Sequence, residues 1–246
     1  MTNKKIAIVI PLANESETFD EFTNRLTDAI NNLDCTVSVF MVVDKVSKDN
    51  TLELCENMSK KDKRFITVWA PENRNVVDAY IRGYKEALYG DYNCDYVIEM
   101  DGGLSHDPSS LSMFVRNLQE GHNCVFGSRF INGGSIYDSN WKRTFLSRGG
   151  TILSNLLLGT KMKDMTSGYM GFHSDVAKLF VEYGLLSKAH FYQTEVRYLL
   201  RKHKCIEVPI HYMAPSPRVS QKAIYNSFDV LFYYFRKRLT GQSISL

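Results

Sequence analysis

A mostly parallel α/β sheet with helices on both faces is the fold this sequence predicts, and three observations predict it. Apolar runs of strand length alternate with amphipathic runs of helix length from residue 6 onward, which is the spacing of βαβ units. Three of the strands are followed by an acidic residue: Glu15 after 6–10, Asp44 after 37–43, and Asp101 after 96–100. At 246 residues, with 44% hydrophobic content and 23% charged, the chain can cover both faces of such a sheet.

The run IAIVI at 6–10 is a buried-type strand, and Pro11-Leu12-Ala13-Asn14-Glu15 follows it. Ser16 can cap a helix over about 17–31, where Phe19, Phe22, Leu26 and Ile30 keep helical spacing. The second strand stops at Asp44, and Lys48-Asp49-Asn50-Thr51 opens a helix carrying Leu52, Leu54 and Cys55. A third strand at 65–69 precedes a helix over 75–88 with Val76, Val77, Tyr80, Tyr84 and Leu88 on one side. The fourth strand ends abruptly at Asp101-Gly102-Gly103. Asp107-Pro108 then opens a helix with Leu111, Phe114, Val115 and Leu118. A fifth strand, 124–126, runs into Gly127-Ser128-Arg129. Beyond it come a loop at 132–134, a long helix over 141–158, a small-and-aromatic stretch at 166–172, a helix at 191–200, a strand at 206–212 and a terminal helix at 223–239. Without repeat, low-complexity tract or linker, one domain over 1–246 is expected.

Composition narrows the class. A net charge of +3 does not by itself imply a polyanionic partner. Five cysteines, scattered without metal spacing, read as reduced thiols of a cytosolic protein. The apolar N-terminal run is too short for a signal peptide, and no run reaches the ~20 apolar residues of a membrane span. A cytoplasmic protein, soluble or peripheral to a membrane, is expected.

In a parallel sheet the strand ends converge on one rim, where ligands gather. Three carboxylates there supply acceptors for a base or ribose and an anion for a divalent cation. Asp101 stands where it can hold that cation against a phosphate-bearing ligand, and the glycines beside it let backbone approach closely. Capping of the following segment is the plain alternative for each Asp.

Several blocks go further. PLANE before a helix, VVDKVSKDNT, EMDGGLSHDP, FGSRF, LSRGG, DMTSGYMGF and EVPIHY stand in the order seen in family 2 glycosyltransferases. From residue 6 to about 222 the chain resembles the branch containing dolichyl-phosphate mannose synthase. The resemblance implies a GT-A fold, a nucleotide-diphosphate sugar as donor, Mg²⁺ or Mn²⁺, and inversion at the anomeric carbon. It implies a polyprenyl phosphate as acceptor, at a membrane surface. Residues 1–130 would be the nucleotide-sugar half, 131–222 the acceptor half, and 223–246 an amphipathic tail. Pro11, Asn14 and Glu15 would line the nucleotide, Asp44 would accept from a uracil or guanine edge, and Gly102 and Gly103 would flank the donor. Asp101 would be the catalytic metal ligand of an Asp-x-Asp motif. The chain departs from the pattern at Lys45, where the family has a second Asp, at Gly103, where it has the second metal Asp, and at Ser105, where it often has Gln. Pro215 replaces a C-terminal Arg, with Arg218 and Lys222 as substitutes. With one carboxylate, either the metal is held weakly by Asp101 and the donor diphosphate, or Lys45 partly replaces it.

Arg129, Arg143 and Arg148, with Ser147 and Ser167, would grip a phosphate, on the acceptor or on the leaving nucleotide; a solvated basic face is the alternative. Asp164 and Ser167-Gly168 resemble the block that shapes the acceptor pocket, and also fit a turn. Glu195 would sit near the acceptor as a catalytic residue. A hydroxyl acceptor needs such a base and a phosphate does not. Otherwise Glu195 is a helix-start glutamate pairing with Arg197 or Arg201. His173, His190, His203 and His211 read as structural, and His106 alone neighbours the expected site. The aromatic and basic terminal helix fits a membrane surface, a nucleic-acid contact less specifically, or simple docking on the domain. Two other functions stay open: transfer to a hydroxyl of a glycan, small molecule or hydroxymethylated DNA base, and nucleotide-sugar binding without catalysis.

Overall fold

The computed structural model describes residues 4–137, 141–213 and 220–246, with the backbone alone at 141–143. Eight residues form β1 (Lys5–Leu12), an interior strand of a seven-stranded sheet. On one side lie β2 (Thr36–Val43) and β3 (Phe65–Trp69), and on the other β4 (Tyr96–Glu99), all parallel to β1. Beyond β4 come β7 (Met170–His173), β5 (Cys124–Ser128) and β8 (Cys205–Pro209). Only β7 runs antiparallel, to both of its neighbours. A two-stranded annex pairs β6 (Ser135–Ile136) with β9 (His211–Tyr212), so the strand predicted at 206–212 is divided between two sheets.

β1 is buried on both faces, which is why it reads as an unbroken apolar run. Ile6, Ile8 and Ile10 face the helices α1 (Phe19–Asn31) and α4 (Leu111–Gln119), packing with Phe22, Leu26 and Phe114. Ala7 and Val9 face the other way, toward α3 (Val76–Tyr89), α6 (Ser174–Tyr183) and α7 (Tyr192–Leu199). Each fully buried aliphatic side chain contributes about 1.5–3 kcal/mol by leaving water, so this two-sided core fixes the strand's register. Helix α2 (Thr51–Lys61) covers the β2–β3 end.

Local signals set the helix starts. Asn75 caps α3, its carboxamide oxygen accepting from Val77 N and Asp78 N. Asp107 accepts from Ser109 N and, with Pro108, opens a 3₁₀ turn ahead of α4. Ser16 does not cap α1, which starts two residues later than expected; its N–H is taken by Asp49. Helix α8 (Gln221–Leu239) packs on α5 (Trp141–Leu158), with Leu158, Tyr198, Leu231 and Tyr234 in a third cluster. Among the described residues no helix is long and apolar enough to cross a membrane.

Candidate active site

The strand order reverses at β1: the chain winds outward through β2 and β3, then returns to β4 on the other side. The carboxyl ends of β1 and β4 therefore flank the crevice where open α/β sheets bind ligands. A cleft of about 560 Å³ lies there, and Pro11, Glu15, Asp44, Asp101, Gly102 and Gly103 all line it.

The rim is tied together by the loops after β1 and β2. Asn14, at φ 60°, accepts from Lys48 N at 2.8 Å and donates to the Val46 carbonyl at 3.4 Å. That side chain clamps one loop to the other. Asp49 knots the same loops, accepting from Thr51 Oγ1 at 2.6 Å, Ser47 Oγ at 3.0 Å and Ser16 N at 2.9 Å. Burial pushes its carboxyl up, but the bonds from Thr51 and Ser16 outweigh this and hold it well below the usual range. Asp44 accepts from Val46 N at 2.8 Å and lines the cleft.

Asp101 keeps a side-chain exposure of 37%. Its Oδ1 accepts from the Tyr80 hydroxyl at 2.7 Å. Its backbone N–H donates to His106 Nδ1 at 2.9 Å, which assigns the His106 proton to Nε2, 3.7 Å from Asp101 Oδ2. Burial pushes His106 below its ordinary pKa, with the Asp101 charge opposing. The neutral ring stacks on Tyr169 at 5.1 Å, and Tyr169 on Phe114 at 4.3 Å. An aromatic column thus rises from the core to the back of Asp101. Gly103 has φ +68°, and a Cβ there would lie 2.6 Å from Glu15 Oε2. The place of the absent second aspartate is thus filled by Glu15, whose carboxyl is raised by burial and by the Asp101 charge, with a bond from Thr18 opposing.

Two expectations need correcting. Glu195 is fully buried: Oε1 accepts from Leu186 N at 2.9 Å and Tyr234 OH at 2.7 Å, and Oε2 from Ser187 N at 2.9 Å. It braces the 186–187 loop against α8, so it is neither a base in the cleft nor a partner of Arg197 or Arg201. Arg129 is spent in a bidentate pair with fully buried Asp164, at 2.8 and 2.9 Å, and donates to Thr166 Oγ1 at 2.6 Å. Burial raises Asp164 and Arg129 more than offsets it. The pair holds β5 to the 164–166 turn, which commits the Arg129 side chain to the fold. Ser167 is buried, its hydroxyl accepting from Tyr169 N at 3.4 Å. Ser147 is half-buried and Arg148 exposed on α5, the Arg148 guanidinium 5.1 Å above the Phe130 ring. The Arg143 side chain, Pro215 and Arg218 lie outside the described residues.

Other residues reach the site unannounced. Tyr80, legible only as part of a helical stripe, holds Asp101. His190, read as structural, lines the cleft with Tyr212. Glu99, one turn of strand behind Asp101, accepts from Tyr84 OH at 2.6 Å and Tyr192 OH at 2.9 Å. Burial pushes its carboxyl up to about 8, against those two bonds.

A cleft lined by strand-end carboxylates at the switch point of a mostly parallel sheet fits an α/β fold of the GT-A kind. The chain belongs to glycosyl transferase family 2, whose model matches residues 7–180, and it is a glycosyltransferase. It is 26% identical over 232 residues to polyprenol monophosphomannose synthase of Mycolicibacterium smegmatis, covering 93% of this chain and 85% of that one. It is 26% identical over 211 residues to undecaprenyl-phosphate mannosyltransferase of Micrococcus luteus, covering 85% of this chain and 84% of the relative. In fold it is similar to glucosyl-3-phosphoglycerate synthase of Mycobacterium tuberculosis, solved with Mn²⁺, UDP-glucose and phosphoglyceric acid. The TM-score is 0.68 at 14% identity, over 97% of this chain and 80% of that one.

Proposed function

We propose that this glycosyltransferase moves a hexose from a nucleotide-diphosphate sugar to a polyprenyl phosphate at a membrane surface, with inversion. The observation that carries the donor half is the convergence of Asp44, Glu15 and Asp101 on one cleft at the sheet's switch point. The acceptor half is supported by the relatives, both named for transfer to a polyprenol or its phosphate.

Asp44 reads the base edge, remote from the reacting bond. Asp101, held by Tyr80 and backed by neutral His106, faces the diphosphate. A lone carboxylate suits Mg²⁺ or Mn²⁺ when substrate phosphates supply other oxygens, and Glu15 stands beside it, so the residues present fit such an ion. The ion, when bound, offsets charge on the departing diphosphate. An acceptor phosphate oxygen attacks the anomeric carbon as the bond to the diphosphate breaks; that oxygen is already ionised, so no base is required. The buried position of Glu195 agrees with this.

The lipid is met by α5 and α8. Phe145, Leu146, Ile152 and Leu156 on α5, and Phe228 and Phe232 on α8, are exposed large apolar side chains on two helices that pack together. Arg148, Arg236 and Arg238 add cations suited to an anionic headgroup surface.

The test supplies Mn²⁺, UDP- and GDP-hexoses, and a panel of vesicle-borne polyprenyl phosphates, glycans and hydroxymethylated DNA. Extractable glycosylated lipid phosphate is expected. Transfer confined to a hydroxyl acceptor would overturn the acceptor assignment, and no donor consumption would overturn the whole reading.

A further inference from the structure

Gln193 is the second residue of α7, and the whole residue is only 5% exposed. Its neighbours in that turn are bonded: Thr194 donates to the Met165 carbonyl at 2.8 Å, and Glu195 accepts three bonds. The Gln193 carboxamide, by contrast, has no hydrogen-bond partner among the described residues. Its oxygen and nitrogen are not among the buried side-chain atoms closed off without a partner, so the amide keeps access to solvent from an otherwise buried residue and is free to meet a ligand.

Gly168 shows where the amide points. A Cβ on that glycine would lie 2.5 Å from Gln193 Nε2 and 3.4 Å from Asp101 Oδ1. The amide and the strand-end carboxylate thus face each other across bare backbone. Any side chain at 168 would enter the space that Gln193 fills beside Asp101.

We propose that Gln193 is a specificity-determining contact for the transferred sugar, its amide exchanging hydrogen bonds with ring hydroxyls of the hexose. The inference rests on the nucleotide-sugar reading of this cleft. A donor whose diphosphate meets Asp101 brings its hexose next to that carboxylate, where the amide waits. The chemistry favours a hydroxyl over the acceptor phosphate. An amide both donates and accepts, as a hydroxyl does, whereas a phosphate only accepts and is better matched by a cation. A site built to bond particular hydroxyls discriminates epimers, because a misplaced hydroxyl leaves the amide unpaired again.

Calorimetry on the full-length protein with Mn²⁺ would compare bare UDP and GDP with UDP- and GDP-linked glucose, mannose and galactose. It would use wild type, Gln193→Ala and Gly168→Ala. Gln193→Ala should weaken the preferred nucleotide sugar about tenfold, the worth of one well-placed hydrogen bond. It should narrow the preference among epimers and leave bare nucleotide affinity within about twofold. Gly168→Ala should do the same with Gln193 intact, and it carries the test if Gln193→Ala fails to fold. Unchanged epimer preference in both variants, or an equal loss for bare nucleotide, would overturn the inference while wild-type sugar binding leaves the cleft's reading standing. A wild-type protein that binds no nucleotide sugar would overturn both.

Discussion

At the scale of single residues, what matters is which polar groups are committed and which face the cleft. Tyr80 is committed to Asp101, and removing only its hydroxyl tests that role. Tyr80→Phe should lower turnover roughly tenfold, a modest value for a bond to a charged group, with melting temperature and bare nucleotide affinity nearly unchanged. Unaltered kinetics would reduce Tyr80 to a core residue. Glu195 is committed elsewhere, and its test runs the other way. Glu195→Gln puts an NH₂ among three donors and should cost about 2–4 kcal/mol of stability. The folded fraction should keep its turnover per molecule; loss of turnover without loss of stability would restore Glu195 as a base. For the Arg129–Asp164 pair, the sign of the pH effect follows from the depressed Asp164 carboxyl. The stability it contributes is present above the unfolded value, near 3.8, and is lost as pH falls through the lower folded value. Asp164→Asn should cost about 3–5 kcal/mol at neutral pH, as for a buried charge left without its partner. It should also flatten the acid unfolding curve below pH ~4, as thermal melts across pH would show.

At the scale of elements, the terminal helix shows how much a local pattern can and cannot say. Its aromatic and basic residues were legible as an amphipathic surface, but the sequence alone could not separate docking from membrane contact. The structure shows docking for one face: Tyr234 and Leu231 are buried, and Tyr234 reaches Glu195. Phe228 and Phe232 remain 44% and 50% exposed. Phe232→Glu should therefore leave the fold intact and abolish sedimentation with anionic vesicles; retained vesicle binding would remove α8 from the membrane contact. The four-residue strand β7 was not legible, because so short an antiparallel return shows no period and lies in a stretch of glycine and aromatics. Helix α6 could have been read, since Val176, Ala177, Phe180 and Val181 repeat at helical spacing and all are buried. Its signal follows β7 without a turn, which hides where one element ends and the next begins.

At the scale of the whole molecule, the alternation of apolar runs was enough to foresee a mostly parallel sheet with its acidic strand ends on one rim. Sheet order was not foreseeable, and order is what puts β1 beside β4 and so Glu15 beside Asp101. The same holds for long-range partners. Nothing near Arg129 announces Asp164, 35 residues on, and nothing near Glu195 announces Tyr234. Gln193 is the extreme case, since its interest lies in a carboxamide without a hydrogen-bond partner among the described residues. The proposed function hangs on Asp101, the strand-end carboxylate that the sequence singled out and the sheet places at the switch point. Replacing it with Asn keeps its size, and its part-exposed position means the core does not depend on its charge. The direct measurement is turnover of Asp101→Asn on the preferred nucleotide sugar and polyprenyl phosphate with Mn²⁺, beside its melting temperature. Transfer should fall by at least ~10²-fold with the melting temperature unchanged; turnover within a few-fold of wild type would contradict the assignment of this cleft as the catalytic centre.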